Sequence, residues 1–148
     1  MTDLSKWGGL VSILLLTAGV GGCGGNALKT YPVEGNVTIL DGSPLTVGEV
    51  VFSSDKVTAR GQINENGSFV LSTDSEGSGD GAPVGVYKVA ILGAAVSKKD
   101  PANPYAIEEL IDRKYADQTT SDLEFTVEAG PNSFGIIVEK PAEKSAEE

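Results

Sequence analysis

The stretch VEGNVTI, Val33–Ile39, alternates along its length. Val33, Val37 and Ile39 stand on one side of the chain, Glu34, Asn36 and Thr38 on the other. A period of two belongs to a strand with one buried face, because successive side chains of an extended backbone point to opposite faces. The same period returns in VTARGQI (57–63), where Val57, Ala59 and Ile63 oppose Thr58, Arg60 and Gln62. It continues through Phe69 and Leu71, then Tyr87, Val89 and Ile91, then Leu123, Phe125 and Val127, and finally Phe134, Ile136 and Val138. GEVVFS (48–53) is apolar on both faces, as expected of a more deeply buried strand. Seven strands are predicted.

Between the strands lies turn chemistry. Asp41-Gly42-Ser43-Pro44 separates the first two strands, and Asn64-Glu65-Asn66-Gly67 separates the third from the fourth. Gly67 meets there the positive φ that such turns demand. Residues 72–83, STDSEGSGDGAP, form a longer Gly-rich connection. Seven short antiparallel strands punctuated in this way predict an all-β sandwich. One segment departs from the pattern. After Asn103-Pro104, which reads as an N-cap and a first-turn proline, Ile107, Leu110 and Ile111 recur at helical spacing while Glu108, Glu109 and Asp112 face away. A short surface helix ending near residues 113–115 is predicted. Tyr105 and Tyr115 would pack its two ends to the sheet, with Tyr31 at the sandwich edge; an aromatic face for peptide or glycan is the other reading of these three tyrosines.

Toward the N-terminus the composition changes. Residues 1–9 carry Lys6 and the amino terminus against Asp3, and residues 10–18 are uncharged and mostly aliphatic. As a helix the latter run would reach about 14 Å, roughly half of a bilayer's hydrocarbon core, and cannot span it. A positive start, a short apolar middle and small residues at the exit are the pattern of a secretory signal peptide. The exit, Val20-Gly21-Gly22-Cys23, resembles the bacterial lipobox. That resemblance implies cleavage before Cys23 and acylation of its thiol; two or more acyl chains, at ~0.8 kcal/mol per buried methylene, anchor stably where one does not. The other readings of Cys23 are a free thiol, an intermolecular disulfide and a buried apolar cysteine.

Charge and composition exclude several functions. Lys6 and Asp3 leave together with the leader, so the formal charge of −10 persists in the mature chain. Such a charge opposes nucleic acid, whose binding rests on neutralising phosphates with Lys and Arg. It equally opposes peripheral adhesion to anionic lipid, which leaves holding to the acyl chains. The chain has no His, removing the triads, the usual general base near neutral pH and the commonest zinc ligand. With one cysteine, no internal disulfide can form, and stability rests on the core.

The segments with Asp41-Gly42-Ser43-Pro44-Leu45, Asn64-Glu65-Asn66-Gly67-Ser68-Phe69 and Pro83-Val84-Gly85-Val86-Tyr87-Lys88-Val89 together resemble the transthyretin-like or carboxypeptidase regulatory-like β-sandwich. With the lipobox and LIDRKYADQTTSDLEFTVEAG (110–130), the chain is similar to small lipoproteins of planctomycete-type bacteria. The resemblance implies a seven-stranded antiparallel, transthyretin-like or Ig-like sandwich with a noncatalytic accessory role, and carries over no functional residue except Cys23.

The organisation expected is a lipoprotein signal peptide (1–22), a flexible Gly-rich tether (23–31) reaching roughly 16 Å, a β-sandwich domain (32–139) and a disordered acidic tail (140–148). The function expected is that of a lipid-anchored, noncatalytic interaction or structural module, held on the cell membrane or outer membrane beside an envelope protein or polysaccharide. Two other chemistries are open to these residues. Asp74, Glu76 and Asp80 in the Gly-rich loop could collect calcium for adhesion, although their spacing departs from the EF-hand. Ser97 with Lys98 or Lys99 is the nucleophile and base pair left to a chain without His, which would make a hydrolase.

Overall fold

The computed structural model describes residues 28–73 and 79–142. In chain order its elements are β1 (Thr30–Tyr31), β2 (Val33–Ile39), β3 (Glu49–Ser53), β4 (Thr58–Gln62), β5 (Ser68–Val70), β6 (Ala82–Pro83), β7 (Gly85–Leu92), β8 (Ala95–Ser97), β9 (Ile107–Glu109), a 3-10 turn (Arg113–Ala116), β10 (Leu123–Val127) and β11 (Asn132–Val138). The chain is all-β. Among the described residues no helix is long and apolar enough to cross a membrane.

Two sheets dominate, one of four strands in the order β10-β7-β3-β4 and one of three in the order β11-β2-β5. Their facing side chains form one core. Val50, Phe52, Ala59, Tyr87, Val89, Ile91 and Val127 come from the first sheet, and Val33, Val37, Phe69, Ile136 and Val138 from the second. Phe52 is fully buried between them. Its ring centroid lies 6.3 Å from that of Phe69 and 5.9 Å from that of Phe134 on the opposite sheet, and 6.1 Å from Tyr87 and 5.9 Å from Phe125 on its own. These are the separations at which aromatic pairs attract beyond their buried area.

The stretches in which alternation predicts strands are strands here, and β1, β6, β8 and β9 are additional. The pairing is not uniformly antiparallel. β11 runs parallel to β2, with Asn132 opposite Val33 and Val138 opposite Ile39. An alternating face reads alike in either direction, so the sequence does not distinguish the two. The parallel pair arises because the chain crosses from one sheet to the other between β10 and β11. Asn132 organises that crossing: its Oδ1 accepts from Glu128 N at 2.9 Å, and its Nδ2 donates to the carbonyls of Glu128 and Gly130 at 3.1 and 2.8 Å. The two other turns singled out above also change sheets, taking β2 to β3 and β4 to β5. Gly67 has φ of 83°, and a Cβ there would lie 2.7 Å from the Val37 carbonyl oxygen. The β4 side is further closed by paired backbone bonds between Arg60 and Ser72, at 2.9 and 2.8 Å.

The expected surface helix is absent. Residues 103–106 instead close a turn, in which Asn103 Oδ1 accepts from Tyr105 N at 3.2 Å and Asn103 O accepts from Ala106 N at 3.0 Å. Side-chain bonding of this local kind competes with helix. Ile107, β-branched and 66% exposed, then extends in β9 opposite Ser97 of β8. Only Arg113–Ala116 coils, capped by Asp112, whose side chain accepts from Lys114 N. Tyr115 packs into the core and its hydroxyl accepts from Glu139 N at 3.3 Å, whereas Tyr105 is 89% exposed and packs no helix end. Thr30 and Tyr31, assigned above to the tether, pair with Pro83 and Ala82. Lys140, assigned to the tail, bonds Asp41 Oδ2 at 2.6 Å.

Gly35 is fixed by packing alone. A Cβ on it would meet Phe134 O at 2.3 Å and the Phe69 ring at 2.6 Å. Both are its partners across the sheet. Gly135, on the neighbouring strand, has open space at the same position. Gly35→Ala is therefore expected to lower unfolding free energy by ~1–3 kcal/mol, the range for overpacking a filled core. Gly135→Ala is expected to change it by less than about 0.5 kcal/mol. Urea titration of the two variants checks the contrast.

Asp41 supplies a pH-dependent contribution. Lys140, then the Ser43 hydroxyl and backbone N–H, hold its carboxyl well below the usual carboxylate range. Its folded pKa lies below its unfolded value of about 3.9, so its contribution is present above that pH and is lost as pH falls through the folded value. Thermal melts are expected to drop in temperature on acidification below about pH 4, and Asp41→Asn to make that drop shallower.

Candidate functional site

A groove of about 540 Å³ lies at the end of the four-stranded sheet where the chain enters. Its floor is the start of β7 and its walls are the β3–β4 turn, residues 118–119, Glu124 and Leu28. Each wall has a local cause. Ser54 closes the β3–β4 turn with its own hydroxyl, which donates to Val57 O at 3.1 Å and accepts from Val57 N at 3.2 Å. Asp117 builds the opposite wall: its Oδ1 accepts from Thr119 N and Oγ1 at 2.7 and 2.6 Å. Those two bonds hold its carboxyl below the ordinary range.

The floor is set by Tyr87. Its ring is buried and its hydroxyl donates to Pro83 O at 2.8 Å, pinning the bend between β6 and β7. Burial pushes the phenol upward in pKa, and the Ser54 side chain opposes that push in part. With Tyr87 inward, alternation turns its neighbour Val86 out, and Val84 just before the strand is also exposed; the two are 54% and 55% exposed. Leu28, at 54%, joins them from the incoming chain. Lys56 and Lys88 balance Asp55 and Glu124 around the rim. The groove offers aliphatic contact with neutral charge, and the hydroxyls of Ser54 and Tyr87 are engaged with backbone carbonyls.

A second recess of about 420 Å³ lies at the far end of the same sheet, between Ile91, Ala94, Ile111 and the 3-10 turn. The Glu109–Arg113 ion pair lines it, at 2.7 Å. Ser121, buried nearby, donates its hydroxyl to Val89 O.

The residues singled out in the sequence that the structure describes are not brought together. Cys23, Asp74 and Glu76 lie outside the described residues. Asp80 Oδ1 accepts from Thr73 N at 2.9 Å, and so braces the base of the Gly-rich loop. Among the described residues no group of three or more His, Cys, Asp or Glu side chains is placed to hold a metal ion. Ser97, Lys98 and Lys99 are exposed at the end of β8, where the Lys98 N–H donates to Ala106 O at 2.8 Å. Tyr31 is half-buried, with the Lys29 ammonium 5.1 Å from its ring centre, and because Tyr115 is buried in the core the three tyrosines form no common exposed face. The groove itself escaped the sequence reading. Its signal was available in PVGVYKV (83–89), where two apolar residues fall on the side opposite Tyr87 and Val89.

No protein-family model matches this chain, and no curated protein matches it. Among solved structures it is similar to a DUF3823 family protein from Bacteroides ovatus ATCC 8483, at 18% identity and a TM-score of 0.42 over 74% of this chain and 44% of that one. It is also similar to the Bacillus anthracis TIE protein, at 10% identity and a TM-score of 0.44 over 76% of this chain and 17% of that one. The chain thus spans less than half the length of either.

The hydrogen bond that shapes the groove floor can be tested directly. Tyr87→Phe keeps the ring but leaves Pro83 O without its buried donor, and is expected to cost about 1–2 kcal/mol in stability. Chemical denaturation measures it.

Proposed function

We propose that this chain is a lipid-anchored, noncatalytic protein of the bacterial cell envelope, in which a transthyretin-like β-sandwich serves as an interaction or structural module. The observation that carries the reading is Val20-Gly21-Gly22-Cys23 directly after a short apolar run. A run too short to span leaves the acylated thiol as the means of holding, and two or more chains hold stably. The domain is consistent with this role. Seven strands in two facing sheets, with Tyr87 at the position of the Pro-x-Gly-x-Tyr motif, agree with the sandwich that the turns resemble. Its groove is aliphatic and charge-balanced, suited to contact rather than bond cleavage.

Fractionation and mass spectrometry test it. The wild-type protein is expected in the membrane pellet, beginning at Cys23 and carrying the mass of diacylglycerol. Cys23→Ser is expected to lose that mass and, once its leader is removed, to leave the pellet. A leaderless Cys23→Ser protein that stays with the membrane overturns the reading.

A further inference from the structure

We infer that the groove end of the domain is its membrane-facing surface, with Leu28, Val84 and Val86 lying against the lipid of the bilayer that holds the anchor. This rests on the lipid-anchor reading above and adds an orientation to it. Five residue steps, with four residues between, lead from Cys23 to Leu28. Fully extended they span at most about 18 Å. Leu28 is itself a wall of the groove. The acylated sulfur therefore cannot lie far from this end of the domain, whatever path the linking residues take.

The surface within that reach suits lipid. Leu28, Val84 and Val86 are each more than half exposed. They line one recess, as a patch that invites cover rather than as scattered residues. Two lysines and two carboxylates balance around it, although the molecule as a whole carries −10. Apolar contact with an uncharged bilayer surface is then open to it, and anionic lipid is not required.

Charge is arranged at the other end. β2 starts beside the groove end and carries the chain about 23 Å away at ~3.3 Å per residue, to Leu40 and Asp41. There Asp41 pairs with Lys140, Lys114 with Glu139 and Glu109 with Arg113, at 2.6, 2.7 and 2.7 Å. Exposed ion pairs belong in water, so the same orientation that lays the groove on lipid keeps them solvated.

The test uses the processed, acylated protein purified from membranes. Its one native thiol is acylated in this reading, so a cysteine introduced by Val84→Cys or by Leu40→Cys is the sole reactive thiol. Leu40, 69% exposed, marks the far end. Each variant is labelled with an environment-sensitive fluorophore and placed in phosphatidylcholine vesicles containing a lipid-borne quencher. A blue shift and quenching are expected for the label at position 84, and neither at position 40. Vesicle flotation with equal, water-like emission at both positions overturns the orientation while leaving the anchor standing. So does the capture of a protein by a photocrosslinker at position 84 in intact cells when that label is not quenched. Failure of both proteins to float removes the anchor, and the orientation with it.

Discussion

The structure depends on the contact between two sheets through Phe52. One ring from the four-stranded sheet lies near two from the three-stranded sheet and two of its own neighbours, so five aromatic side chains cluster in a core whose other members, Tyr115 apart, are aliphatic. Gly35 is the counterpart of that cluster. By having no side chain it lets the Phe69 ring lie across β2, and the space it leaves is filled by its own cross-strand partner. In a domain with neither an internal disulfide nor a metal cluster among its described residues, this interlock of rings and a glycine sets how closely the sheets approach.

Much of this is legible in the sequence because a buried face imposes a period of two wherever it occurs. Val33–Ile39 announces β2, and Phe134, Ile136 and Val138 announce β11, by that rule alone. The rule says nothing about which strands are neighbours. The parallel pairing of β2 with β11 depends on a crossing turn held by Asn132, where Gly130-Pro131 marks a turn but not which strands it brings together. The segment after Pro104 was misleading for a different reason. Ile107, Leu110 and Ile111 satisfy helical spacing, but three residues over one turn are also what a short strand followed by a coil produces. Exposed Ile107 and buried Ile111 show that they never shared a face. Asn103, read as a helix cap, uses its side chain to close the turn that prevents the helix.

The site was less legible than the fold. Sequence reasoning looks first for groups that do chemistry, and the acidic loop and the Ser97–Lys98 pair drew attention on that account. The groove's lysines and carboxylates instead balance one another around its rim, and its Ser54 hydroxyl closes a turn. The groove is made of valines that point outward, a tyrosine that points inward, and two turns closed by Ser54 and Asp117. Outward-facing valines are the kind of residue that hydropathy alone passes over, since Val84 and Val86 read like the neighbouring core residues until Tyr87 fixes the phase of the strand.

The two ends of the domain therefore differ in a way that neither composition nor net charge reveals. A formal charge of −10 spread evenly would make every face equally averse to lipid and equally soluble. The fold separates two kinds of surface instead. β2 and β7 both run from an end where aliphatic side chains stand exposed around a neutral rim to an end where Arg113, Lys114 and Lys140 are engaged with carboxylates. Leu28 enters at the first of these ends, so under the proposed anchoring one short linker would set both the distance to a surface and the side turned toward it. In the proposed orientation the acidic remainder would face water, and with it the recess beside Glu109 and Arg113 at the far end.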